Sequence, residues 1–181
     1  MSFLHCAGKA IRKVRRDYFN EPRVKGFIGE KFVYQALKEK PFLLHNIVLK
    51  EPDSAQIDHI LVCEQGIIVI ETKNYGGFIY GHAINSIWTQ FIGANKYSFY
   101  NPIMQNDRHV KLLTVLFPEY ASLFRSAVVF TPRSKLRIGG VDNVIYLTNL
   151  DKYIDGLEHR IADIKTMETI YKQLKTLSSV R

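Results

Sequence analysis

The chain has 181 residues, 46% hydrophobic and 12% aromatic, which is enough to bury one core without covalent staples. Its two cysteines, Cys6 and Cys63, are far apart and form no C-x-x-C pair, which excludes a disulfide framework and a cysteine-built zinc site and makes a reducing compartment the default. The formal net charge of +8 suits a polyanionic partner, no stretch reaches the roughly 18 apolar residues of a membrane span, and no secretory leader is evident, so a cytoplasmic protein is expected.

The first 23 residues predict a basic helix or arm. Up to Lys25, seven basic residues (Lys9, Arg12, Lys13, Arg15, Arg16, Arg23 and Lys25) stand against Asp17 and Glu21, so +5 of the charge lies here. Arg12, Lys13, Arg15 and Arg16 could grip a phosphate backbone. The same segment also reads as an interfacial membrane helix, with Phe3, Leu4, Ile11 and Val14 as its apolar side, or as a solvated lead-in helix.

Residues 24–40 predict a second helix. Its polar residues Lys31, Gln35 and Lys38 group on one side, whereas Glu30 falls between Tyr34 and Leu37 on the apolar stripe that carries Phe27 and Val33. A carboxylate there either pairs locally near the helix N-terminus or is aimed at a site.

Strands are expected near residues 43–50, 55–63 and 67–73, the last two joined by the tight turn Glu64-Gln65-Gly66. Side chains alternate along a strand, so Glu71 and Lys73 share a face, and a hairpin brings Asp58 beside Glu71. An ion pair on a solvated strand face, with Asp58 an unrelated surface acid, is the structural alternative. Both strands are apolar around the charged positions, however, and buried acids are costly unless paired, hydrogen-bonded or bound to a metal. Gln56 lies on the Asp58 face; His59 points the other way and reads as scaffold rather than general base.

Short strands are expected near residues 78–81 and 86–91. A helix then starts at Asn101-Pro102 and runs to about Phe117, placing Gln105 and His109 on one face. Strands near 126–131 and 144–147 and helices near 150–160 and 163–178 follow. Arg125, Arg133, Lys135 and Arg137 form a basic cluster, and Arg137-Ile138-Gly139-Gly140 reads as a loop, not a phosphate cradle.

Together, Gly26-Phe27-Ile28-Gly29-Glu30, Gln56-Ile57-Asp58-His59, Ile70-Glu71-Thr72-Lys73-Asn74, Gly76-Gly77, Trp88 and Asn101-Pro102-Ile103-Met104-Gln105-Asn106 resemble the NERD, or nuclease-related, domain. That family is placed in the PD-(D/E)xK nuclease superfamily, and the resemblance covers residues 24–117. It implies an α/β (α+β) fold with a restriction-endonuclease-like core, a mixed sheet whose antiparallel hairpin is flanked by helices. Residues 24–181 would form a single domain, with the family core at 24–117 and added strands and helices at 118–181.

On the superfamily's pattern, Glu30 matches the first-helix acid, Asp58 the hairpin acid, and Glu71 with Lys73 the E-x-K element; Ile57 stands where the superfamily name has Pro. The resemblance implies Mg²⁺, with Mn²⁺ as substitute, held by Asp58, Glu71 and the backbone carbonyl of Thr72. Glu30 would hold a metal-bound water or a second ion. Lys73 would orient the attacking water or stabilise phosphate charge, with Gln56 and Gln105 in support. The expected function is metal-dependent hydrolysis of phosphodiesters, most simply in DNA. The alternative is a catalytically silent module that holds nucleic acid or a partner, with membrane-surface contact through the basic arm compatible with either.

Overall fold

The computed structural model describes residues 21–50 and 54–179. Arg12, Lys13, Arg15 and Arg16 of the basic arm lie outside the described residues. In chain order the elements are helix α1 (Pro22–Leu37) and strands β1 (Leu43–Leu49), β2 (Ala55–Cys63), β3 (Gly66–Lys73), β4 (Gly77–His82), β5 (Ile87–Ile92) and β6 (Asn95–Tyr100). Helix α2 (Pro102–Leu116), strands β7 (Phe124–Phe130), β8 (Ser134–Gly139) and β9 (Val144–Tyr146), and helices α3 (Leu150–Asp155) and α4 (Ile164–Lys175) complete the order.

The expected hairpin is central. β3 is buried along nearly its whole length, as a strand covered on both faces must be, and this is why residues 67–70 read as an unbroken apolar run. One sheet has the order β1-β2-β3-β7-β9, with β1, β2 and β3 antiparallel and β3, β7 and β9 parallel. Ile67 and Val69 pack with Leu112 and Leu113 of α2 and with Met167, Ile170 and Leu174 of α4. Ile68 and Ile70, pointing the other way, meet Val33 and Leu37 of α1 and Leu150 and Ile154 of α3. The strand period of two thus distributes one apolar run between two helical layers. Each fully buried side chain contributes roughly 1.5–3 kcal/mol. Among the described residues, no helix is long and apolar enough to cross a membrane.

A second sheet, β6-β5-β4-β8, was not foreseen as a separate layer. The chain crosses into it twice, from β3 to β4 and from β7 to β8; β3 and β7 run parallel, and so do β4 and β8. Gly77 makes the first crossing possible: its φ is +77°, and a Cβ there would lie 2.0 Å from the carbonyl oxygen of Phe91. Ile79, Trp88, Phe99, Leu136 and Ile138 on the inner face pack against Ile103, Val128 and Phe130.

One strand was not expected, and three local expectations need correction. Residues 95–100 form a strand although nearly all their side chains are exposed, because pairing with β5 supplies the order that hydrophobic alternation does not. Arg137-Ile138-Gly139 belongs to strand β8 rather than a loop, with Leu136 and Ile138 turned towards the core. The helix expected at 150–160 stops at Asp155. Phe27 is 64% exposed, since α1 reaches the core through its C-terminal half, at Val33 and Leu37.

Candidate active site

Asp58 is positioned by the point at which β2 leaves β3. The antiparallel ladder runs from Cys63 opposite Gly66 to His59 opposite Ile70 and ends there. One residue on, the Asp58 carboxylate replaces a ladder carbonyl and accepts a hydrogen bond from the Thr72 amide at 2.8 Å. On the other side of β2, Asn46 adopts a left-handed φ of +52°, a conformation Asn tolerates better than most side chains. Its side chain accepts from Gln56 Nε2 at 3.0 Å, and Gln56 lines, with Asn46, Glu30 and Asp58, a hollow beside the acids.

Glu71, Lys73 and Gln105 form one closed unit. Lys73 Nζ donates to Glu71 Oε1 at 2.6 Å and to Gln105 Oε1 at 3.0 Å, while Gln105 Nε2 donates to the same Glu71 oxygen at 2.8 Å. The donor and acceptor demands of its two partners fix the orientation of the Gln105 amide. α2 is held in register by two asparagines, Asn101 at its N-cap and Asn106 within it. Asn101 caps the helix by accepting from the Ile103 amide at 2.9 Å and donates to the carbonyls of Ala83 and Asn85 at 2.9 and 2.8 Å. Asn106, fully buried, donates to the Val69 carbonyl at 2.8 Å and the Ala127 carbonyl at 3.2 Å, clamping α2 across β3 and β7.

Glu30 reaches the same cleft because α1 lies very close to the end of β3. A Cβ on Gly29 would stand 2.6 Å from Asn74 Cβ and 3.4 Å from Thr72 Cγ2, so only glycine allows this approach. Asn74 locks the junction, donating to the Lys25 carbonyl at 2.8 Å and accepting from Thr131 Oγ1 at 2.7 Å. Glu30, Asp58, Glu71, Thr72 and Lys73 line one cleft of about 860 Å³, with Lys25, Gln90, Tyr97 and Arg133 also on its wall. Sequence reasoning named Asn101 as the start of the helix and Asn74 and Asn106 within the family motifs, but gave none of the three these tertiary contacts. The available signal was a polar side chain at a position that the helical or strand period assigns to the interior.

The electrostatics are those of acids crowded together with little water. Burial, then repulsion from Glu71 and Glu30, lifts the Asp58 carboxyl to about 8 despite the Thr72 hydrogen bond and nearby Lys73. Burial also raises Glu71 and Glu30, each opposed by Lys73. Burial would depress Lys73, but its charge and hydrogen-bond contact with Glu71 outweigh this and keep it a cation. His109 Nδ1 faces Glu71 Oε2 at 3.7 Å, and neither atom has a hydrogen-bond partner. Burial, with Lys73 and Arg108 nearby, lowers His109 to about 4, so the contact is between a neutral ring and a carboxylate rather than an ion pair. His59 is 1% exposed, and burial followed by proximity to His45 lowers it to about 4, in keeping with a scaffold residue.

Two carboxylates with raised proton affinity, one bearing a buried oxygen without a partner, form a donor set that fits a small oxygen-seeking dication. Among the described residues, no group of three or more His, Cys, Asp and Glu side chains is arranged to hold a metal by itself. Glu30 therefore shares the cleft and its field without completing a three-carboxylate nest.

Comparison with known proteins identifies the family. The sequence pattern of the nuclease-related domain family matches residues 25–131, a segment containing Glu30, Asp58, Glu71, Lys73 and Gln105. An uncharacterized protein of Bacillus anthracis is 37% identical over 145 residues, covering 75% of this chain and 68% of that protein. No solved structure matches. From Gly29 to Gln105, the residues that build the cleft lie inside the matched segment, and the chain belongs to the NERD, or nuclease-related domain, family.

Proposed function

We propose that the protein hydrolyses phosphodiester bonds in nucleic acid, most simply DNA, with Mg²⁺ as cofactor and Mn²⁺ able to replace it. The observation that carries this reading is the placement of the Glu71–Lys73–Gln105 unit in one cleft with Asp58 and Glu30. Asp58, Glu71 and the Thr72 carbonyl would hold the cation, with Glu30 acting through water or at a second ion. When bound, the metal supplies positive charge against the phosphate and lowers the pKa of water.

The chain's own groups have separable tasks. Lys73, kept protonated by Glu71, presents a fixed cation that can orient a water or stabilise charge growing on a phosphate oxygen. Gln105 holds Glu71 and Lys73 in register, so neither has to be ordered during the reaction. Lys25 and Arg133 on the cleft wall would attract the flanking phosphates.

The test is cleavage of plasmid and single-stranded DNA with Mg²⁺ or Mn²⁺, with chelator, and with Asp58→Ala and Lys73→Ala. Loss of cleavage in chelator and in both variants is expected. Cleavage that survives both substitutions would remove the site. A second reading, a silent module that binds nucleic acid without cutting, is favoured by the lack of a self-sufficient three-ligand cluster among the described residues. It predicts salt-dependent DNA binding and no cleavage on any substrate.

A further inference from the structure

The outer face of the second sheet has a composition that the cleft does not explain. Strand pairing places Phe78 opposite both Phe91 and Lys135, and Tyr80 opposite Arg137; Phe91 is in turn opposite Lys96. Paired residues share a face, and so do residues two apart, which brings these side chains and Tyr100 onto one side of the sheet. Core residues such as Ile79 and Trp88 occupy the other side. Phe78, Tyr80 and Tyr100 are 40%, 45% and 52% exposed, a large aromatic area to leave in water. The pairing places Lys96, Lys135 and Arg137 on this face with no Asp or Glu among its described residues.

We infer that this face binds an unpaired stretch of nucleic-acid chain and leads it towards the cleft. Exposed rings on a flat sheet can stack on bases only where those bases are not already stacked within a duplex, and the interleaved cations then meet the phosphates. Charge complementarity selects a polyanion over an apolar partner. Strands lie roughly 4.8 Å apart and rise roughly 3.4 Å per residue, and Tyr80 on β4 is level with Ser98 on β6, so Tyr80 and Tyr100 stand roughly 12 Å apart, enough for separate bases. The face is also continuous with the cleft: Arg133 is on the cleft wall, and Lys135 and Arg137 follow at two-residue intervals along the edge strand β8. At the same end of the strands, across the sheet, Ile92 and Tyr97 of the β5–β6 hairpin line the cleft beside the outward-facing Phe91 and Lys96.

The inference names the form of substrate for the cleft just proposed, and it rests on that reading only for what happens after binding. Its test is therefore fluorescence anisotropy of the full chain in chelator, with labelled oligo-dT of about 12 nucleotides and a duplex of similar length. Tyr80→Ala and Tyr100→Ala should each weaken oligo-dT binding about tenfold and leave duplex binding unchanged, while Tyr80→Phe and Tyr100→Phe keep it. Lys135→Gln with Arg137→Gln should reduce the logarithmic salt dependence for oligo-dT by about 0.7 per charge removed.

Unchanged oligo-dT affinity in the alanine variants would overturn the inference and leave the face to a protein partner. Equal losses for strand and duplex would overturn it as well. The two readings fail separately: a protein that cuts nothing but loses strand binding in the alanine variants keeps this surface, and one that cuts yet binds strands as tightly without the tyrosines does not.

Discussion

Gly29→Ala sets two physical effects of known size against each other at the point where α1 meets β3. An alanine inside a helix is ordinarily favoured over glycine by about 1 kcal/mol, because less backbone entropy is lost. At Gly29 the added methyl would lie 2.6 Å from Asn74 Cβ, well inside contact distance. Asn74 cannot swing aside, since its side chain is tied to the Lys25 carbonyl at 2.8 Å and to Thr131 at 2.7 Å. Overpacking of this kind costs about 1–3 kcal/mol, so after the helix gain a net destabilisation of about 0–2 kcal/mol is expected, together with displacement of Glu30 from the cleft. Gly26→Ala is the internal control: in the same helix, its nearest neighbour would be Glu30 Oε1 at 3.9 Å, and a stabilisation of about 0.5–1 kcal/mol is expected. Urea unfolding of the two variants and the parent, compared at equal m-value, measures both signs. If Gly29→Ala stabilises as much as Gly26→Ala, α1 is not seated on β3 as described, and the reason for Glu30's position is lost.

The other expectations concern the charged unit. Gln105→Ala should cost about 1–3 kcal/mol by leaving Glu71 and Lys73 without its amide, and it should lower cleavage more than nucleic-acid binding, as read from kcat against KM. Lys73→Met should destabilise by about 3–5 kcal/mol, because Glu71 is left buried beside no cation. Adding Glu71→Leu should recover much of that loss in thermal melts; no recovery would argue against the pair being the cause.

For Asp58, the folded carboxyl holds its proton up to about 8, whereas the unfolded one releases it near 4. Between those values the folded state binds more protons, so the metal-free protein should lose stability as pH rises from about 4 to about 8. Asp58→Asn should flatten that slope and be the more stable protein at the alkaline end. Urea titrations in chelator at a series of pH values give the answer, and parallel slopes for the two proteins would refute the assignment.

How much was legible beforehand depended on the range of the interaction. The hairpin, the shared face of Glu71 and Lys73, and the start of α2 at Asn101-Pro102 follow from periods, turns and caps within a few residues, and all are present in the structure. β6 was missed because its own alternation is weak and its order comes from pairing with β5, and β8, although Lys135-Leu136-Arg137-Ile138 alternates, because Gly139-Gly140 reads as a loop and its partner β4 is distant in sequence. Phe27 was misplaced because a helical wheel reports direction but not how far along the helix the core extends. Gln56 and Asp58 line one hollow, as their shared strand face implies, while the hydrogen bond of the Gln56 amide to Asn46 at the turn of β1 is a contact that no local period shows.

The sequence by itself determined the chemical inventory and the local geometry: two strand acids, a lysine, a helix acid and a helix glutamine on elements that repeating patterns could place. Tertiary structure decided which of them meet. The Thr72 amide became available to Asp58 only where β2 parts from β3, Glu30 could approach only across the bare Gly29, and Gln105 reached the Glu71–Lys73 pair only because Asn106 pins α2 to β3 and β7. These are contacts across 14 to 37 residues or more, set by packing and by hydrogen bonds that buried polar groups must make, and no local period encodes them.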